Sequence, residues 1–182
     1  MFEITLVIVI ALGLAWPLGH YMAGVFSGQP HFSDRIFGPL ERCIYKAIGV
    51  NPAVGMTWKA YMLAFLFSNL VLGVLAYLIL LLQHVLPMNP DNIGPLSWDL
   101  ALHTAVSFLT NTNQQHYSGQ AQLSYLSQSF LIVTLQVVTP ATALAVCVAI
   151  LRGMIGGRNQ DAAKEGEPRD LGNYYVDLVR SV

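Results

Sequence analysis

Between Asp99 and Arg152 the chain carries no Lys, Arg, Asp or Glu. As one straight helix that stretch would run about 75–80 Å, against a bilayer hydrocarbon core of about 30 Å, so a single crossing is excluded. Charge is scarce elsewhere too. Charged residues make up 10% of the 182 and apolar residues 54%, whereas soluble domains average about 25% charged. This balance points to a membrane protein. The formal net charge of −1 suggests neither nucleic acid nor an acidic partner. Cysteine is almost absent. Cys43 lies near Arg42 and Lys46, and Cys147 in an apolar run, so the two read as separate inert thiols rather than a disulfide. There is no Ser–His–Asp set, phosphate loop or aspartyl-phosphate motif, and the chain is not expected to be an enzyme.

What is present is a series of apolar runs broken by polar segments. The N-terminal run has no basic leader, carries Glu3, and continues through Trp16 and Pro17. It reads as a retained first span over residues 4–26, kinked at Pro17, and not as a cleaved signal peptide. Residues 27–59 form a polar connection whose amphipathic patch, 36–48, suits a membrane surface. Residues 60–86 form a second span, uncharged apart from His84 near its end. Residues 87–95 place Pro, Asn and Gly at turn spacing. Ser97 is then positioned to cap a helix with Asp99 in its first turn. That helix, Trp98–Leu109, is a half-helix of about 18 Å, too short to cross. Residues 123–151 form a third span, with Ser124, Ser127, Gln128, Ser129, Gln136 and Thr139 giving it a polar face and Pro140 a bend. Residues 156–172 read as a hydrophilic linker, and 173–182 turn amphipathic.

Basic residues orient these spans. The first connection holds Arg35, Arg42, Lys46 and Lys59; residues 87–122 hold none; the tail holds Arg152, Arg158, Lys164, Arg169 and Arg180. The expectation is an N-terminus outside, a hairpin opening outside and a cytoplasmic tail. The fold class expected is an all-α membrane protein with three transmembrane helices and a re-entrant pore helix and loop. The expected divisions are a first transmembrane helix (1–27), a cytoplasmic connection (28–59), a helix–pore loop–helix repeat (60–152) and a cytoplasmic tail (153–182).

The chemistry concentrates directly after the half-helix, at Thr110, Asn111, Thr112 and Asn113. A cation crossing a membrane must exchange its water shell for fixed oxygens. Backbone carbonyls, Thr hydroxyls and Asn amide oxygens supply these without charge, which suits a monovalent ion that must also leave. Asn tolerates the left-handed conformation that a carbonyl-lined turn often needs. The half-helix would aim the negative end of its dipole at the same place. A solvent-facing turn of ordinary Asn–Thr composition is the alternative.

Trp98-Asp99-Leu100-Ala101, Thr104-Ala105-Val106-Ser107-Phe108 and Thr110-Asn111-Thr112-Asn113 resemble the first pore segment of the potassium-binding subunit family of the bacterial Kdp potassium-transporting ATPase. Pro17-Leu18-Gly19, Trp58-Lys59, Gln83-His84 and Tyr117-Ser118-Gly119 add to the resemblance. The family belongs to the superfamily of potassium channels and related transporters, and its subunit repeats a helix–pore loop–helix unit four times around one pore. The resemblance implies that Thr110, Asn111, Thr112 and Asn113 form one quarter of a potassium selectivity filter and that Gln115 tunes ion affinity. Potassium is then the substrate, with no other metal or cofactor. The implied partners are a P-type ATP-hydrolysing subunit, small membrane subunits and lipid, in the bacterial inner membrane. This stretch lacks the glycine of simple potassium-channel filters. The chain resembles an extra first helix plus the first repeat, with 173–180 as a lead-in to a second. The alternative is a truncated, non-conducting subunit that serves only assembly or docking.

Other polar residues carry weaker expectations. Asp99 and His103 lie four apart, but two ligands without a third make a poor metal site; a capping Asp and a packed His are expected. His84 suits an interfacial depth, and His116 a solvent-facing pore mouth. Ser127, Gln128 and Gln136 could line a cavity or bond neighbouring helices. Trp16, Trp58 and Trp98 suit interface anchors.

Overall fold

A computed structural model of the protein describes residues 2–29, 34–155 and 170–182. All regular structure among these residues is helical: α1 (Phe2–Ser27), α2 (Asp34–Ile48), α3 (Trp58–Leu82), α4 (Trp98–Leu109), the single turn α5 (Gly119–Gln122), α6 (Val133–Met154) and α7 (Tyr174–Ser181). A π-helical stretch, Ser127–Ile132, runs without a break into α6. Among the described residues, three helices are long and apolar enough to cross a membrane: α1, α3 and the continuous Ser127–Met154. The chain divides into two compact units, Met1–Ala53 and Val54–Val182.

The first unit holds α1 and α2. Helix α1 continues through Pro17. In α2, Ile36, Phe37, Leu40 and Ile48 are all exposed and fall on one helical face by their spacing. That is the amphipathic patch expected from the sequence.

The second unit is built around α4. Its buried residues, Ala101, Thr104, Ala105, Ser107 and Phe108, recur at helical spacing and face inward. Leu102 and Val106, on the other side, are exposed. The inward face packs with Ala76 and Leu80 of α3, Leu96, Leu123, and Leu131 and Leu135 of the third span. Lipid tails are as apolar as leucine, so this packing is stabilised by close contact and not by escape from water. Small residues permit it: a Cβ added at Gly73 would lie 3.1 Å from Leu109 Cδ2.

The half-helix occupies the expected residues, and Ser97 holds the N-cap position in an extended conformation, although its hydroxyl makes no capping bond to the backbone. The bounds of the second and third spans differ from expectation. Helix α3 begins at Trp58 because the Thr57 hydroxyl accepts the Ala60 N–H at 3.4 Å. It ends at Leu82, not 86, where Val85 N–H closes a turn on Leu82 O at 3.0 Å. Leu123 is extended rather than helical. The following helix starts after Ser124, whose hydroxyl oxygen accepts the Ser127 N–H at 3.2 Å.

The tail docks on this unit. Leu171 N–H donates to Met56 O at 3.0 Å and Met56 N–H to Gly172 O at 2.8 Å, while Asn173 Nδ2 donates to Val54 O at 3.1 Å. Tyr174 is fully buried, beside Tyr61 and Ala149, with its hydroxyl 2.6 Å from Ser68 Oγ. Gly172 has φ +90, and a Cβ there would collide with the Arg152 guanidinium, so the position requires glycine. Of the linker read at 156–172, only 170–172 lie within the described residues; Arg158, Lys164 and Arg169 lie outside them.

Candidate functional site

Helix α4 delivers the chain into the segment 110–114, and the backbone there is organised by the last turn of the helix. Five consecutive N–H groups point back toward it. Thr110 N–H donates to Val106 O at 2.9 Å and Asn111 N–H to Phe108 O at 3.1 Å. Thr112 and Asn113 N–H both donate to Ser107 O, at 2.9 and 3.2 Å. Gln114 N–H donates to the Ser107 hydroxyl at 2.6 Å. These donors satisfy helix-end carbonyls that would otherwise be orphaned. Among the described residues, no donor reaches the carbonyl oxygens of Thr110, Asn111, Thr112 or Asn113. The Gln114 carbonyl is different, because it accepts from the Ser107 hydroxyl at 3.0 Å. Four successive unpartnered carbonyls thus lie between the helix end and the Ser107–Gln114 bond.

Backbone handedness supports this arrangement. Asn111 and Asn113 have φ of 57° and 54°, and Thr112 between them is not among the positive-φ residues. Asn is one of the few L-residues that visits this region at modest cost, so the Thr-Asn-Thr-Asn alternation matches the alternation of conformation. The Thr110 hydroxyl donates to Val106 O at 2.9 Å and lies 2.9 Å from the Thr112 hydroxyl. With the Thr110 proton on Val106, the Thr112 proton faces Thr110, and a Thr112 lone pair stays free to accept a cation. Thr110 to Asn113 are all exposed. The Asn111 amide oxygen lies 3.5 Å from Thr139 Oγ1, whose proton is better placed on Leu135 O at 2.8 Å.

Gln115 is exposed. Its amide donates to the Tyr117 hydroxyl at 3.2 Å, and it lines a cleft of about 300 Å³ with Tyr117, Gly119, Gln128 and Ser129. Gln128 bonds Gly119 O at 2.8 Å and Leu123 O at 3.2 Å, which ties the hairpin to the third span; Gln136 is exposed. His103 packs edge-on against His116, with ring centroids 4.4 Å apart. Among the described residues, no three His, Cys, Asp or Glu side chains gather as a metal site. His103 Nδ1 and Thr104 Oγ1 are buried and have no hydrogen-bond partner among the described residues.

Two positioning residues escape a reading of the sequence as chemistry. Ser107 looks like an ordinary helix residue. Gln83 ends an apolar run and is fully buried. Its amide nitrogen donates to Gly94 O at 2.7 Å and Gln122 O at 2.8 Å. Its amide oxygen accepts from Ser124 N–H at 3.1 Å and the Ser127 hydroxyl at 3.0 Å. All four bonding capacities of the side chain are used, and both limbs of the hairpin are pinned to the end of α3. The sequence signals for Gln83 are its place as an uncharged polar residue closing an apolar span and its part in the family resemblance through Gln83-His84.

Away from the hairpin, Arg152 and Asp177 form a two-pronged pair, Nη1 to Oδ2 at 2.6 Å and Nη2 to Oδ1 at 3.0 Å. Burial pushes the Asp177 carboxyl above the usual carboxylate range, against the opposing pull of Arg152.

The family model for the potassium-transporting ATPase A subunit, KdpA, matches residues 5–182. The chain is 44% identical over 180 residues to the potassium-transporting ATPase potassium-binding subunit of Gloeobacter violaceus, covering 99% of this chain and 29% of that protein. It is 41% identical over 182 residues to the subunit of the same name from Nostoc, covering 100% and 30%. To that from Alicyclobacillus acidocaldarius it is 46% identical over 178 residues, covering 98% and 30%. The chain belongs to the KdpA family, and it spans about three tenths of the length of these relatives.

Proposed function

We propose that this chain supplies one oxygen-lined side of a potassium pathway, as part of the channel-like subunit of an ATP-driven potassium uptake complex. The observation that carries the reading is the row of four unpartnered carbonyls, Thr110 to Asn113, created because the N–H groups of 110–114 turn back into the end of α4. A row of free carbonyls at membrane depth is tolerated where it faces a watery path or an ion that replaces water. The negative end of the α4 dipole lies at the same place and favours a cation. Family membership supports potassium as that cation. In this reading Thr110, Asn111, Thr112 and Asn113 are filter residues and Gln115, just beyond them, tunes affinity.

The chain binds and selects the ion. ATP hydrolysis belongs to a P-type partner subunit, and small membrane subunits complete the complex in the bacterial plasma membrane. The spans run with the N-terminus and the mouth of the hairpin outside and α7 in the cytoplasm.

Potassium-dependent ATPase activity of the assembled complex tests this. Thr112→Val removes an oxygen and should raise the half-saturating potassium concentration about tenfold, the worth of roughly 1.4 kcal/mol. At position 111 the backbone is left-handed, so Asn111→Gly should retain more affinity than Asn111→Val, whose branched side chain is strained there. Unchanged potassium affinity in both Thr112→Val and Asn111→Val would remove the filter assignment.

A further inference from the structure

Four carbonyls in a row select among cations only if their spacing is held, so that they neither collapse onto a smaller ion nor spread for a larger one. We infer that Ser107 is the residue that fixes their spacing, and so determines selectivity among monovalent cations without touching the ion. The inference rests on the filter assignment above.

Five bonds from residues 110–114 converge on this one residue, the weakest a long contact of 3.4 Å from the Thr110 hydroxyl to the Ser107 carbonyl. Its carbonyl accepts from Thr112 and Asn113 N–H. Its hydroxyl accepts the Gln114 N–H at 2.6 Å and donates to the Gln114 carbonyl at 3.0 Å. The same hydroxyl therefore holds both polar groups of one residue, and residues 107–114 close into a loop tied at its two ends. The lower end is the α4 backbone, and the upper end is the Gln114 peptide. Ser107 itself is buried, 6% exposed, on the face of α4 that packs into the core. An anchor set in packed helix cannot follow the filter if it breathes. A hydroxyl on a short stem is needed, because it must donate and accept at once; Ala can do neither, and a Cys thiol donates only weakly.

Substitution at this position isolates the effect. Ser107→Ala leaves the backbone bonds to Thr112 and Asn113 in place, and alanine is the better helix former. It removes only the two bonds to Gln114, freeing the upper end of the filter. Ser107→Thr keeps the hydroxyl.

The experiment measures apparent affinities for potassium, rubidium and sodium by cation-stimulated ATPase activity, in complexes assembled with the full-length subunit. The readout is the ratio of affinities, which a lower yield of folded complex does not move. Ser107→Ala should shrink the preference for potassium about tenfold, because the two hydrogen bonds that hold the Gln114 end of the row are lost. Ser107→Thr should restore it. Should Ser107→Ala fail to assemble, Ser107→Cys is read on the same scale and should shift in the same direction. Wild-type ratios in Ser107→Ala, or in Ser107→Cys where that variant stands in, would overturn the role of Ser107. Thr112→Val separates the two readings. If it raises the half-saturating potassium concentration while the Ser107 variants leave the ratio unchanged, the filter stands and the Ser107 role falls; if potassium affinity is unchanged in Thr112→Val and Asn111→Val as well, both fall.

Discussion

Arg152, in the last turn of α6, holds Asp177 of α7 through both terminal guanidinium nitrogens, across a separation of 25 residues, with side chains only 12% and 3% exposed. The same guanidinium donates to Leu171 O at 2.8 Å, and the Tyr61 hydroxyl sits 3.1 Å from the Asp177 carboxylate. One pair thus links α3, α6 and the tail. Its net worth is modest, because both charges are desolvated, but breaking one side is expensive.

Arg152→Ala should therefore cost about 3–5 kcal/mol by leaving a buried carboxylate unpaired. Asp177→Asn should cost less. Burial already pushes this carboxyl toward its neutral form, and an amide still offers an oxygen to Arg152. Hydrogen exchange at amides 171–181 reads the result. Arg152→Ala should strip protection there, and equal protection in Arg152→Ala and wild type would show that the pair does not hold α7.

The proposed orientation rests on the basic residues at 35–59 and in the tail, set against none between 87 and 122. With Cys43 and Cys147 replaced, Asp91→Cys should react with an impermeant thiol reagent on intact cells. Val182→Cys, 70% exposed, should react only after the membrane is opened. Labelling of Val182→Cys from outside would invert the topology.

The helices were legible because apolar length and turn residues are local signals. Trp98–Leu109 was bounded by Ser97 on one side and the Thr-Asn run on the other. The patch at 36–48 announced itself by spacing. Span ends were less legible. They depend on side chains that reach elsewhere: Thr57 starts α3 two residues early, and Gln83 turns away to hold Gly94 and Gln122 after the helix has stopped. The π-helical stretch Ser127–Ile132 leaves no periodicity that differs from an α-helix in a short apolar run.

At the site, the residue types, the half-helix that precedes them, the uncharged flanks and the family resemblance together pointed to Thr110–Asn113, and the left-handed Asn111 and Asn113 are compatible with that chemistry. The Ser107–Gln114 bond was not legible, since a serine inside a helix usually bonds its own turn or nothing. Nor was the docking of α7. Arg152 and Asp177 read as scattered charges until the fold brings them together.

In the proposed pathway the carbonyls of Thr110 to Asn113 replace the water shell of a monovalent cation. The most direct test is anomalous scattering from thallium, a potassium mimic, in crystals of the assembled complex. A peak should lie in contact with the carbonyl oxygens of Thr110–Asn113, be lost when excess potassium is added, and weaken in Thr112→Val. Thallium density elsewhere in the subunit, with none against these four oxygens, would contradict it.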